Sequence, residues 1–167
     1  LRSTGEGPVP ELDLDKYVDQ PYSRFITQDV SRELRNRYYE MGFPDATIKS
    51  SLEFEDGSEG TKKVTIRLEV TPGSQAFVSS ITYSGSSKTK PSLIRSRLKL
   101  DAGDPLNPSL LERSRLNLSR LGIFDKVEYE LVAGGETQKS VHFSLDERTT
   151  WSVDTIVGWG SYEQLRG

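Results

Sequence analysis

The sequence predicts an α+β chain. It reads as two tandem β-α-α-β-β modules, each a three-stranded sheet covered by two helices, followed by one strand of a different kind. Three observations predict this. The order helix, glycine, aromatic, strand, turn, strand occurs twice. Its landmarks recur at a period near 80: Gly42 and Gly122 are 80 apart, Pro21 and Pro105 are 84 apart, and Val64 and Val141 are 77 apart. Within each copy the strands alternate apolar and polar residues, while the helices carry a stripe at helical spacing.

Composition narrows the function classes. Among 167 residues, 22 Lys+Arg face 25 Asp+Glu, for a net charge of −3. That balance argues against a polybasic nucleic-acid or membrane-surface binder. No window reaches about 18 consecutive apolar residues, so no spanning helix is expected. No basic, apolar, small-residue start is present, so no signal peptide is expected in this chain. The absence of Cys excludes disulfide scaffolds, Cys-based zinc sites and cysteine nucleophiles. The single histidine, His142, excludes multi-histidine metal sites.

The elements follow in order. Gly5, Gly7, Pro8 and Pro10 forbid regular structure over the first ten residues. Glu11 to Val18 is expected to make a short helix. The opening strand of the first copy is expected to be missing. Thr27 is taken as the N-cap of a long helix whose stripe is Val30, Leu34, Tyr38 and Met41. Gly42 and Phe43 then fit the C′ and C″ positions of a Schellman end, and Pro44 blocks continuation. A strand with Ile48, Leu52 and Phe54, a turn at 56–60 and a strand with Val64, Ile66, Leu68 and Val70 make an antiparallel hairpin with one face covered.

The second copy opens with a strand in which Phe77, Ile81 and Tyr83 share a face. A short helix is expected over 89–98, with Pro91 in its first turn. Asn107 caps a second helix with Pro108 at N1, and Leu111, Leu118 and Leu121 form its stripe. Gly122 ends it. The next strand puts Val127, Tyr129 and Leu131 on one face and Lys126, Glu128 and Glu130 on the other. The return strand buries Val141, Phe143 and Leu145.

Particular residues then carry a resemblance. These are Phe77-x-x-x-Ile81-x-Tyr83-x-Gly85, Leu98-x-Leu100-x-x-Gly103-x-x-Leu106 and Leu121-Gly122-x-Phe124-x-x-Val127. The first copy matches with Tyr38-Tyr39-x-x-Gly42-Phe43-x-x-Ala46 and Val70-x-x-Gly73. Over about residues 21–148 the chain resembles polypeptide-transport-associated (POTRA) domains, which sit in the periplasm before an outer-membrane barrel of the BamA/TamA type. The last segment is similar to the first barrel strand of that family. Trp151, Val153, Thr155, Val157 and Trp159 alternate with Ser152, Asp154, Ile156, Gly158 and Gly160, giving one apolar face with an aromatic at each end. One strand cannot close a barrel, so the chain is expected to be a piece of a larger protein.

The resemblance implies a non-enzymatic role with no cofactor. The implied partners are unfolded outer-membrane client proteins and accessory envelope proteins, with the outer membrane reached through the missing barrel. It implies location on the periplasmic side of the bacterial outer membrane, or an organelle outer envelope. The implied mode is strand addition at a sheet edge. The expected edges are residues 47–55, with Ile48, Ser50, Leu52 and Phe54, and 125–131, with Lys126, Val127, Glu128, Tyr129 and Glu130. The expected units are 1–73, 74–148 and a barrel strand at 149–167 carrying Trp151, Val153, Val157 and Trp159. The alternative is a protein-interaction tandem of a cell-envelope protein without a barrel.

Other signals lead nowhere. Gly57-x-x-Gly60 joins two strands, whereas a KH loop needs GxxG between two helices. Ser3-Thr4-Gly5-Glu6-Gly7 lacks the Gly-Lys-Ser/Thr of a phosphate loop. His142 alternates with Val141 and Phe143 and so points outward. Asp104, Asp146, Glu147 and Asp154 lie in turns and linkers with no pocket implied, so no enzyme and no small-molecule substrate is expected. Arg95, Arg97, Arg113, Arg115 and Arg120 are solvated helix faces, or meet lipid headgroups or an acidic partner.

Overall fold

The computed structural model describes residues 2–3, 8–13, 15–17, 20–56 and 62–148. The turn expected at 56–60 lies largely outside the described residues, and the barrel-type strand at 151–159 lies wholly outside them.

The described residues form two three-stranded sheets of one topology. The strands are β1 (Arg2–Ser3), β2 (Thr47–Asp56) and β3 (Lys62–Thr71), then β4 (Phe77–Ser84), β5 (Phe124–Ala133) and β6 (Gln138–Glu147). Their spatial orders are β1-β3-β2 and β4-β6-β5. In each sheet the last strand is central, parallel to the first and antiparallel to the one before it. The opening strand of the first copy is therefore present, against expectation: Arg2 and Ser3 register with Glu69 and Val70. Its pairing is backbone to backbone, so the glycines and prolines that follow it hid it.

The first sheet is covered by α1 (Arg24–Glu40), whose Val30, Leu34 and Tyr38 pack with Phe43, Ala46, Leu68 and Val70. Its N-cap is Ser23, not Thr27: Ser23 has an extended backbone and its Oγ accepts from the Phe25 amide at 3.3 Å. Thr27 lies one turn inside. The C-terminus is as expected. Phe43 N–H donates to the Tyr38 carbonyl at 2.9 Å and Gly42 N–H to that of Tyr39 at 3.0 Å, the paired bonds of a Schellman end, with Gly42 at φ +83°. Phe43 then sets its ring edge-on to Tyr38. In place of the helix expected over Glu11 to Val18 there is a 3₁₀ turn at Asp15–Tyr17. Glu33 of α1 holds it, accepting from Lys16 Nζ at 2.7 Å and Tyr17 OH at 3.3 Å.

The second sheet is covered by α2 (Pro91–Arg95) and α3 (Pro108–Ser119). Pro91 starts α2, which is shorter than the expected 89–98, and Ile94 is its buried residue. Asn107 caps α3, its Oδ1 accepting from Ser109 N–H at 2.9 Å and Leu110 N–H at 3.2 Å. Leu111, Leu118, Phe124, Val127, Val141, Phe143 and Leu145 share one core with Val78 and Ile94. Val78, not Phe77, joins that core. A register shift between Val78 and Ser80 lets Val78 and Ile81, three apart, face the same way. Leu131, expected inside, is 45% exposed near the hairpin end of β5.

The two units touch where they join. Ala76 N–H donates to the Gly42 carbonyl at 2.7 Å, Gln75 Nε2 to that of Met41 at 2.9 Å, and Ser109 Oγ to Asn36 Oδ1 at 3.4 Å.

Candidate protein-binding edges

Among the described residues, each sheet ends on a long strand paired on one side only, β2 in the first and β5 in the second. These are the strands expected at the edges. A row of unpaired backbone N–H and C=O groups is a template for another extended chain. The opposite edge of the second sheet is partly closed. Gly103 N–H donates to Val78 O at 2.7 Å, Val78 N–H to Asp104 O at 2.9 Å and Leu106 N–H to Ala76 O at 2.9 Å. A short turn thus lies along the start of β4 and leaves β5 as the long free edge of this sheet among the described residues.

Along β2, Ile48, Ser50, Leu52 and Phe54 face the helix side, because Ile48 registers with Val70 and Phe54 with Val64. Ile48 and Leu52 are half-buried, Ser50 is exposed, and Phe54 is 61% exposed. Tyr22, just ahead of α1, meets Phe54 edge-on with ring centroids 6.5 Å apart. The opposite face carries Lys49, Ser51, Glu53 and Glu55, with Glu53 and Arg67 paired at 2.9 Å.

Along β5, Val127 is buried and Tyr129 half-buried, while Lys126, Glu128 and Glu130 are exposed. Lys126 and Glu128 pair at 2.9 Å along one face. An open groove of about 680 Å³ runs beside the strand, lined by Arg115, Ser119, Lys126, Glu128, Tyr129 and Glu130. On its helix wall Arg115 is bound to Glu112 at 2.6 Å. This hydrogen bond holds the Glu112 carboxyl below its ordinary pKa. Desolvation pushes the Tyr129 phenol above its own. Arg115 is therefore paired within its own helix, on a face that stays in contact with water.

Sequence reasoning missed two polar sites. Glu147, at the end of β6, accepts backbone N–H bonds from Ser87 at 3.0 Å, Lys88 at 3.0 Å and Thr89 at 2.7 Å, and the Ser87 hydroxyl at 3.1 Å. Hydrogen bonding from Thr89 and then from the Lys88 amide holds its carboxyl well down, at about 2. The signal was there in the Ser86-Ser87-Lys88-Thr89 turn, but the partner lies some 60 residues away. His142 does point outward, yet both ring nitrogens are engaged, with Thr82 Oγ1 at 2.8 Å and Ser84 Oγ at 3.0 Å. Among the described residues no group of His, Asp and Glu is placed to hold a metal ion.

Comparison with known proteins agrees with this architecture. The family model for POTRA, described as surface antigen variable number repeat, matches residues 4–73 and 76–148. The outer membrane protein assembly factor BamA of Neisseria meningitidis is 31% identical over 157 residues, covering 90% of this chain and 19% of that protein. BamA of Nitratidesulfovibrio vulgaris is 22% identical over 158 residues, covering 94% of this chain and 20% of that protein. The chain thus spans about a fifth of the length of these relatives. Among solved structures, Haemophilus ducreyi BamA lacking POTRA domains 1–3 gives a TM-score of 0.61 at 21% identity, over 77% of this chain and 24% of that one. POTRA domains 3–5 of Haemophilus influenzae BamA give 0.56 at 24% identity, over 77% of this chain and 50% of that one. These two likenesses bear on the fold alone. With both of its sheet units matched, the chain belongs to the POTRA family.

Proposed function

We propose that this chain is the periplasmic part of an outer-membrane protein assembly or translocation factor, made of POTRA units at 1–73 and 74–148. In this reading 149–167 is the first strand of a barrel that lies beyond the chain. The units receive unfolded client polypeptides or accessory envelope proteins by strand addition and feed the barrel. The carrying observation is that, among the described residues, both sheets end on a ten-residue edge strand with a free side, next to a helix. A docked strand there gains a backbone hydrogen-bond ladder independent of its sequence, which suits a holder of many clients. No enzymatic step is assigned: the carboxylates of the described residues that hold shifted pKa values are all engaged in ion pairs or amide bonds within the fold.

The test is direct. A fluorescently labelled outer-membrane β-barrel polypeptide, held unfolded in urea, is diluted into the 167-residue chain and its anisotropy followed. Saturable binding that an unfolded all-helical protein does not reproduce is expected. Equal binding of both polypeptides, or of neither, overturns the reading.

A further inference from the structure

The two free edges differ in what they offer to the side chains of an added strand. A strand beside β2 sends alternate residues toward the helix side, past Ile48, Leu52 and Phe54. That row carries no charge, and its far end is an exposed aromatic pair, Phe54 and Tyr22. The exposed aromatics of the described residues, Tyr22, Phe25 and Phe54, all belong to the first unit. The row of β5 on the helix side, Val127, Tyr129 and the exposed Leu131, is also uncharged, but a strand beside it runs along the Arg115–Glu112 ion pair and Ser119 and, among the described residues, meets no exposed aromatic pair. Apolar groups placed there would strip water from a charged pair without replacing its hydrogen bonds, which is unfavourable.

We infer that β2 is the edge that takes aromatic-rich client strands, with one ring of the client seated against Phe54 and Tyr22. The occupant is an extended segment with large apolar or aromatic side chains at every second position and neutral or charged residues between. Its intervening residues face Lys49, Ser51, Glu53 and Glu55, where charge is tolerated. Edge-on packing against the existing pair supplies what a lone backbone ladder lacks, a preference for rings at a fixed register. The inference rests on the strand-addition reading and adds which edge and which side chains.

The probe is a peptide of the ten-residue length of β2, alternating Phe and Thr, titrated into the isotopically labelled chain and followed by amide chemical shifts. The expected result is shifts over residues 47–56 and at Tyr22. Phe54→Ala and Tyr22→Ala should each weaken binding by about tenfold, the scale of one lost aromatic contact. Phe54 is 61% exposed, so its variant should keep the native spectrum. Arg115→Ala should leave the affinity unchanged. Shifts confined to β5, with Arg115→Ala weakening them, overturn this assignment but leave strand addition standing. Equal affinity for a peptide of the same composition with its Phe residues in one block also overturns it. A chain that sediments as a dimer, and as a monomer once Phe54 is Ala, gives the edge to a second copy and overturns it too. Shifts at neither edge overturn both the assignment and strand addition.

Discussion

The backbone amide of Ala76 donates to the carbonyl of Gly42 at 2.7 Å, so the glycine that ends one unit's helix is also bonded to the start of the next unit. Gly42 has φ +83°, and a Cβ there would lie 2.9 Å from the Ala76 oxygen and 3.2 Å from Pro105 Cβ. One residue closes the helix and fits the joint.

Gly42→Ala should therefore cost more than the roughly 1–2 kcal/mol of left-handed strain alone. Gly122→Ala is the control. It too has positive φ, at +71°, but a Cβ there meets nothing within 4 Å, so only backbone strain applies. Denaturant unfolding of both variants, with small-angle scattering for the angle between units, checks this. Equal losses and unchanged scattering would show that the joint tolerates the methyl.

Phe124→Ala should destabilise the second unit by about 3–5 kcal/mol. Its side chain is 4% exposed and shares the core with Val127 and Leu145. Thermal unfolding followed by tryptophan-independent circular dichroism measures it; a loss below about 1 kcal/mol contradicts the assigned burial.

Ser114→Ala should cost about 1–3 kcal/mol although it removes one oxygen. Ser114 is 1% exposed; its hydroxyl donates to the Leu110 carbonyl at 2.8 Å and accepts from the Lys99 amide at 2.8 Å. Alanine leaves that amide without its acceptor. Faster hydrogen exchange at Lys99 is the specific readout.

Tyr38→Phe should be neutral or stabilising. The Tyr38 side chain is fully buried, and its hydroxyl has no partner among the described residues. Removing an unpaired buried hydroxyl relieves its desolvation cost and keeps the ring contact with Phe43. A lower melting temperature would mean that the hydroxyl is bonded after all.

Glu147 gives the pH dependence. Its folded pKa, about 2, lies below the ordinary 4.5, so its stabilisation is fully present above 4.5 and is lost as pH falls toward about 2. Glu147→Gln should be less stable than wild type at neutral pH. The gap should close on acidification through that window, as read by melting temperature across a pH series. A gap that stays constant would refute the amide-held carboxylate.

Much of this was legible because it is local. Gly42 and Phe43, or Asn107 and Pro108, state a helix end within two residues, and the period-two rows of Leu68 and Val70 or Val141 and Phe143 state which face is buried. What escaped was non-local or masked by the pattern. Ser23 lost to Thr27 because Phe25, exposed in the first turn, breaks the apolar stripe. Val78 lost to Phe77 because a bulge moves the register without a sequence mark. Of the candidate edges, β2 and β5 were legible by position. The Tyr22–Phe54 pair and the Arg115–Glu112 wall were not, since they depend on how a helix start meets a strand end and on which neighbour an arginine finds.

The parallel neighbours β4 and β6 have a mechanical consequence. Phe77 registers with Gln138 and Ser84 with Ser144, so the chain enters the second unit at one end of the sheet and leaves it at the other. Tension applied through its two ends would act along the ladder between these strands, in shear. The cross-strand bonds would have to fail together instead of peeling one by one. The same arrangement of β1 beside β3 makes each unit an in-line link, suited to carrying load down a string of such links.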